Sequence, residues 1–431
     1  MRILHIGTDS FGGYGGIALY NRELIAAMAS HPFVDEVVVV PRIIVGEREP
    51  LPEKVAFISA AARGRMAFLR ALRGAGSDFD LVVCAHVNLL PVARLVTSHP
   101  LLMLYGIEAW KPLRDPISNR LLRSVRCAVS ISDVTRERFA GWSHFDGPSP
   151  LLPNSIRAER YGIRPKNPAL MSRHHLDGKR VLMTLGRVVA AERYKGFDEV
   201  LEVLPDLDAD VSYVIAGGGN DIPRLQRKAV RLGVADRVVF TGLFPEEEKA
   251  DLYNLADVYV MPSRGEGFGF VFLEALACGV PVIASRLDGG REAVREGALG
   301  QIVDTTNPAA IPLAHLDARA AGEKPLARGR GFPVVWPYRG DGSMSTWQTN
   351  PAGLQRLMNG GFGRVREHAA GPGAHRWSIS YIKSGNQAKV LSGAIPNRGR
   401  ERDNGPYILG EVERAVIPKT VWKRARHDAG K

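Results

Sequence analysis

The chain has 431 residues, 45% of them hydrophobic and 24% charged, a globular composition that supports two cores and excludes a disordered chain. Its three cysteines, Cys84, Cys127 and Cys278, lie far apart in apolar runs without metal-ligand or redox spacing, which excludes a disulfide scaffold and fits buried, reduced thiols. The net charge of +12 is unevenly placed: residues 311–431 hold 20 Lys+Arg and 9 Asp+Glu, leaving 37 and 36 in residues 1–310, so overall charge gives no ground for a specific nucleic-acid partner.

The opening residues, Met1-Arg2-Ile3-Leu4-His5-Ile6-Gly7, run straight into Thr8-Asp9, an apolar stretch too short for a signal peptide. No run approaches the roughly 18 apolar residues of a spanning helix. A cytoplasmic protein is expected, with room for peripheral contact at the inner face of the cell membrane. Strand-like runs follow at 3–6, 37–40, 81–84, 101–104 and 128–131, separated by helical patterns at 17–29, 63–72, 89–96 and 134–139. After a polar stretch containing Pro165-Lys166-Asn167-Pro168 and Asp177-Gly178, the alternation restarts. Strands are predicted at 181–185, 211–216, 238–241, 258–261 and 280–284, and helices at 197–204, 222–232, 246–255, 269–277 and 291–296. Such alternation implies an α/β fold of two doubly wound parallel-sheet domains facing a cleft. The expected bounds are 1–165 and 178–309, followed by an irregular tail, 310–431, rich in Gly, Pro, Arg and Trp. The best helix candidate in that tail is 356–368, which Gly360-Gly361-Phe362-Gly363 interrupts.

Four motifs carry chemistry. Gly12-Gly13-Tyr14-Gly15-Gly16 lies between the first strand and first helix; its amides and the helix N-terminus suit an anion, or serve only as a tight turn. Its spacing is neither the dinucleotide fingerprint nor a P-loop. Arg187 follows Gly186 at the end of a predicted strand, and Lys195-Gly196 precedes a helix. Two cations beyond the carboxyl ends of parallel strands can neutralise a diphosphate, although a solvated loop would look the same. Gly217-Gly218-Gly219 ends the next strand and either admits a ligand or simply turns. The strongest signal is Glu266-Gly267-Phe268-Gly269-Phe270 followed by Glu274. It puts one glutamate in a glycine loop and a second about a turn and a half into the next helix, both facing one ligand.

In this ordered combination the chain resembles the family-4 retaining glycosyltransferases, also called group 1, over roughly residues 1–308. Pro153-Asn154 matches the family's entry into the second domain. The resemblance implies a GT-B fold with two Rossmann-like domains. It implies transfer of a hexosyl unit, with retention, from a UDP-sugar or GDP-sugar to a saccharide or lipid-linked acceptor in polysaccharide or glycolipid synthesis. Arg187 and Lys195 would stabilise the departing diphosphate, and Glu266 would hold the donor sugar, these three being the catalytic set. Glu274 would bind the ribose, with Gly217, Gly218, Gly267, Phe268, Gly269 and Phe270 lining the donor. The loop Gly12, Gly13, Tyr14, Gly15, Gly16 would lie near the diphosphate and acceptor. No cofactor and no metal are expected.

One departure stands out. Where many members carry a His after the strand matching the run 101–104, this chain has Tyr105, followed by Gly106 and Glu108. His86, ending the preceding strand, is a substitute candidate, and Glu108 a candidate acceptor contact. Asp206-Leu207-Asp208-Ala209-Asp210 has D-x-D spacing but precedes a strand, the wrong end for a nucleotide, and reads as a polar turn. His174-His175 has no third ligand nearby. Arg63, Arg65, Arg70 and Arg73 punctuate an apolar helix that either meets an anionic membrane or presents a solvated face, the latter preferred.

Rival readings are an inactive homologue that binds nucleotide or a partner, and another nucleotide-dependent enzyme such as a dehydrogenase. The second lacks a G-x-G-x-x-G after either first strand. The tail is either a basic appendage or a stretch read from a shifted frame; the shifted frame is preferred, because the tail replaces the helices a GT-B protein places there.

Overall fold

The structure, a computed structural model, describes residues 1–113 and 115–305 and the backbone of three strands between residues 365 and 396. The first sheet is built from β1 (Arg2–Gly7), β2 (Glu36–Pro41), β3 (Val55–Phe57), β4 (Leu81–Ala85), β5 (Leu101–Leu104) and β6 (Cys127–Ser130). Its strands run in the order β3-β2-β1-β4-β5-β6, all parallel. The second sheet holds β7 (Arg180–Leu185), β8 (Val211–Ala216), β9 (Val238–Gly242), β10 (Val258–Met261), β11 (Val282–Ser285) and β12 (Gln301–Val303). Its order, β12-β11-β10-β7-β8-β9, repeats the same topology in parallel strands. In each sheet the winding reverses beside the first strand, which opens a crevice beyond the carboxyl ends. The sequence-based expectation of two doubly wound sheets is met. The two strands it lacked, β3 and β12, are three-residue edge strands, too short to show a period.

The strands are near-continuous apolar runs because helices cover both faces. Leu4 and Ile6 of β1 pack with Phe68, Leu72 and Leu90. Ile3 turns to the other face with Ile25 and Met28. In the second sheet Met183 and Leu185 pack with Tyr253, Tyr259 and Phe272, and Leu182 with Val200, Leu201 and Leu225. All three cysteines are buried and free, and burial pushes Cys84 and Cys127 up to about 12.

Leu151 still bridges to Ser130 of β6, and Tyr20 donates to the Leu152 carbonyl at 2.8 Å. From Arg164 onward the chain is tied to the second half, by Arg164–Asp251 (2.8 Å), Lys166–Asp257 (2.6 Å) and Arg173–Glu248 (3.1 Å). The helix Pro168–Arg173, not foreseen, starts on Asn167, whose side chain accepts from the Ala169 and Leu170 amides, with Pro at the first helical position.

Residues 363–431 form a separate unit. Within it β13 (Val365–Ala370), β14 (Ala374–Lys383) and β15 (Gln387–Pro396) make an antiparallel meander. The predicted helix over 356–368 is corrected here: residues 365–368 are strand, and 356–364 lie outside the described residues. The alternation Trp377-Ser378-Ile379-Ser380-Tyr381 carries the strand signal that a search for helical period passes over. The rest of the expected irregular tail also lies outside the described residues.

Candidate active site

The loop after β7 is built on glycine contacts. A Cβ on Gly217 would overlap the Gly186 carbonyl, and one on Gly219 the Val188 carbonyl. The Val188 amide donates to Gly218 and the Asp221 amide to Val188, at 2.9 and 3.0 Å. The glycine turn after β8 therefore serves first to let two backbones touch, and it fixes the segment that carries Arg187. Arg187 is well exposed and Lys195 nearly buried. Between them lies Glu192, which sequence reasoning missed: it pairs with the Arg187 guanidinium and, at 2.8 Å, with Lys195 Nζ. Its spacing of three residues from Lys195 in the short helical run Ala190–Lys195 was the available signal. The two predicted cations do converge, through this carboxylate.

The loop after β10 carries Glu266. Its carboxylate meets the Gly267 and Phe268 amides; burial pushes its pKa up, against the opposing pull of Lys195. Gly269 (φ 93°) precedes the helix Phe270–Ala277, whose first turn has no side-chain cap and whose Phe272 amide donates to the Gly269 carbonyl at 3.3 Å. The loop is anchored from below by Asp288, also missed. Asp288 accepts from Ser263 Oγ (2.6 Å), the Glu266 amide (2.8 Å) and the Gly290 amide (3.0 Å). Burial, aided by the neighbouring Glu266 charge and opposed by these donors, pushes its carboxyl up to about 7. The signal here was Asp288-Gly289-Gly290 after a strand.

Glu274 is placed differently from expectation. It is buried, and both oxygens are engaged: Tyr161 Oη (2.8 Å) and Lys249 Nζ (2.7 Å) on one, Tyr253 Oη (2.7 Å) on the other. The residue sits in an aromatic pocket with a cation rather than open beside Glu266.

On the first-domain side, the Gly12 amide donates to Glu49 (2.6 Å), the Gly12 carbonyl accepts from Val45 and Gly46, and Gly13 packs on Asp9. Tyr14 is exposed, with its hydroxyl end lying over Gly46. Gly15, with φ 94°, opens the uncapped helix Gly16–Ser30. A Cβ on Gly15 would lie 3.8 Å from the Arg187 guanidinium carbon, and one on Gly16 would lie 3.7 Å from the Phe270 ring. The glycine loop thus faces Arg187 across the cleft.

Tyr105, at the chain position of the expected His, turns its side chain into its own domain. Its ring is buried edge-on to Tyr20, and its hydroxyl donates to Asn21 Oδ1 at 2.6 Å; only its carbonyl reaches the cleft, against Gly267. His86 accepts the Asn88 amide on Nδ1 (3.1 Å), and burial lowers its pKa to about 4, so it is a neutral cap for the turn that follows. One Glu108 oxygen takes the Tyr105 and Gly106 amides (2.6 and 3.1 Å), and burial raises its pKa.

A further contact ties the halves together. Glu292 accepts the Asp133 and Val134 amides at 2.7 and 2.8 Å, so a second-domain carboxylate caps the first-domain helix Asp133–Ser143. Arg138 of that helix donates to the Leu287 carbonyl at 2.6 Å.

Asp208 and Asp210 pair with Arg180 at the opening end of β7 (2.5 and 2.7 Å), away from the cleft. His174 and His175 follow the helix Pro168–Arg173. Among the described residues no three His, Cys, Asp or Glu side chains gather as a metal site, and no helix is long and apolar enough to cross a membrane. The helix Arg65–Gly74 buries Phe68 and Leu72 in its own domain and leaves its arginines in solvent, so most of its apolar stripe is already used.

Residues 170–317 match the family described as glycosyl transferases group 1. The GDP-mannose-dependent alpha-(1-6)-phosphatidylinositol monomannoside mannosyltransferase of Mycolicibacterium smegmatis is 40% identical over 263 residues, 57% of this chain and 66% of that one. Its Mycobacterium tuberculosis counterpart is 36% identical over 235 residues, 50% of this chain and 59% of that one. The chain therefore spans less than two thirds of these relatives. Among solved structures, Anabaena Alr3699/HepE in complex with UDP and glucose superimposes with TM-score 0.59 at 19% identity, over 75% of this chain and 91% of that one. Sucrose-phosphate synthase from Thermosynechococcus elongatus gives 0.60 at 18%, over 83% and 98%. These likenesses identify the two-sheet arrangement as the GT-B fold.

Proposed function

We propose that this chain is a group 1 glycosyl transferase that moves a hexosyl unit with retention from a nucleoside diphosphate sugar to a saccharide or lipid-linked acceptor. The observation that carries the reading is the meeting of Arg187, Lys195 and Glu266 beside two uncapped helix N-termini, one from each half of the cleft. Positive charge fixed where a diphosphate departs lowers the barrier to its departure. Glu266, held by its own loop amides, takes a donor-sugar hydroxyl. Glu274 takes the ribose hydroxyls in exchange for Tyr161 or Lys249. The glycine loop at 12–16 and Glu108, both on the first-domain side, bound the acceptor. The proposal includes no metal and no cofactor.

GDP-mannose is the first donor to try, because the Mycolicibacterium and Mycobacterium relatives are named as GDP-mannose-dependent; UDP-sugars are the alternative. The acceptor class suggests work in the cytoplasm at the inner membrane face. A second reading, nucleotide binding without turnover, is favoured by one fact: the Tyr105 hydroxyl is committed to Asn21.

A thermal-shift panel of nucleoside diphosphates tests the binding step, since a ligand of the folded state alone raises the melting temperature. GDP or UDP is expected to stabilise the protein, and Arg187→Ala or Lys195→Ala to weaken the effect. Unchanged affinity in both variants refutes the phosphate assignment. Release of GDP or UDP from the sugar nucleotide then separates the readings: binding without release supports the inactive homologue.

A further inference from the structure

Arg187 and Lys195 already hold an anion. The Glu192 carboxylate lies between them, one oxygen on the Arg187 guanidinium and the other 2.8 Å from Lys195 Nζ. We propose that Glu192 is an internal counter-ion that competes with the nucleoside diphosphate for these two cations, and so sets how tightly it is held and how fast it leaves. The inference rests on the proposed reading of Arg187 and Lys195 as the diphosphate site.

Glu192 has two opposite effects. It gathers the cations in the free protein, which favours binding. It also leaves a negative charge next to an incoming polyanion, which opposes binding. The second effect dominates. Once a diphosphate is bound, it gathers the cations itself. Lys195 is held in place by burial in any case, its side chain only 12% exposed. The repulsion, by contrast, persists in the complex for as long as the carboxylate stays near. Arg187, 60% exposed, is free to swing from Glu192 to the ligand, whereas Glu192 is confined at 12% and remains close. Burial raises the pKa of Glu266 and of Tyr194, and the Glu192 charge adds to the rise in both. The counter-ion is therefore felt at the donor-sugar glutamate as well as at the phosphates.

Titration calorimetry with GDP, UDP and inorganic pyrophosphate on the full chain tests this, using wild type, Glu192→Gln, Glu192→Asp, Arg187→Ala and Lys195→Ala. Glu192→Gln keeps the shape and removes the charge; Glu192→Asp keeps the charge but is too short to bridge both cations. Glu192→Gln is expected to bind about tenfold more tightly, with a correspondingly slower dissociation of GDP in stopped flow, and Glu192→Asp to fall between it and wild type. A purely structural role for Glu192 predicts weaker binding in both. Equal or weaker binding by Glu192→Gln, with an unchanged melting temperature and with Arg187→Ala still impaired, overturns the inference and leaves the site assignment standing. Should Glu192→Gln melt early, Glu192→Asp decides on the same criterion. Wild-type affinity in Arg187→Ala and Lys195→Ala overturns the diphosphate reading itself, and the inference with it.

Discussion

Replacing Asp288 by Asn sets two measurable effects of the loop anchor against each other. The carboxyl sits at about 7 against about 3.9 in an unfolded chain. Below pH ~4 both states are protonated and the residue contributes no pH dependence. Between ~4 and ~7 the unfolded chain ionises while the folded one keeps its proton. Wild-type stability therefore falls by about 1.4 kcal/mol per pH unit as pH rises through this window, a total of about 4 kcal/mol as an upper figure. The Asp288→Asn variant is free of that penalty. It carries its own cost, because Asp288 accepts from the Glu266 amide on one oxygen and the Gly290 amide on the other. Either orientation of the carboxamide points its NH2 group at one of these amides and leaves it unpaired, at about 1–3 kcal/mol. Asp288→Asn should be less stable than wild type at pH 4.5 and more stable at pH 8, the difference climbing through pH 5–7. Urea midpoints taken at half-unit steps of pH for both proteins measure this directly. A stability difference that does not change with pH would refute the proton linkage at this carboxyl.

Glu274→Gln should cost more stability than an ordinary surface change, up to about 3 kcal/mol, since it leaves the mostly buried Lys249 cation with only the longer, exposed Glu246 pair at 3.5 Å; a melting temperature equal to wild type would contradict that pairing. Nucleotide affinity should fall in Glu274→Gln, while Glu266→Ala should lower turnover more than affinity; equal losses in calorimetry would reject the division of roles. Gly267→Ala places a methyl into the Tyr105 carbonyl across the cleft and should cost about 1–3 kcal/mol, with the wild-type melting temperature as the refuting result. Translating the gene's other two frames beyond codon 308 should yield amphipathic helices; if neither does, the tail is better explained as a basic appendage binding anionic surfaces.

The strands were legible because a sheet covered on both faces needs runs such as Val211–Ala216, apolar in all but Ser212. The cations and glycines were legible because they fall at the carboxyl ends of those strands. The direction of each polar side chain was not. Tyr105 and Glu274 lie at the expected places along the chain, yet their hydrogen bonds go to Asn21 and to the Tyr161–Lys249–Tyr253 cluster. Those partners lie from 21 to 113 residues away, and no local pattern encodes them. Glu192 and Asp288 were passed over because a lone acid in a loop reads as solvated. Their meaning comes from what the fold sets against them.

The segment from Leu287 to Glu292 ties the loop that carries Glu266 to the first domain. Asp288 fixes the Glu266 amide from within the second domain. One residue earlier the Leu287 carbonyl receives Arg138, and four residues later Glu292 closes the N-terminus of the helix that carries Arg138. A charged acceptor at a helix N-terminus is among the stronger polar contacts available at a domain boundary. Any rotation of the first domain away from the second must break the Glu292 and Leu287 contacts, and it pulls on the same short loop that holds Asp288. The Gly267–Tyr105 contact lies on the other side of that loop, where a Cβ on Gly289 would overlap the Gly267 carbonyl. The position of Glu266 is thus set from both domains at once: Asp288 holds its amide from the second, and the Tyr105 carbonyl bounds its loop from the first.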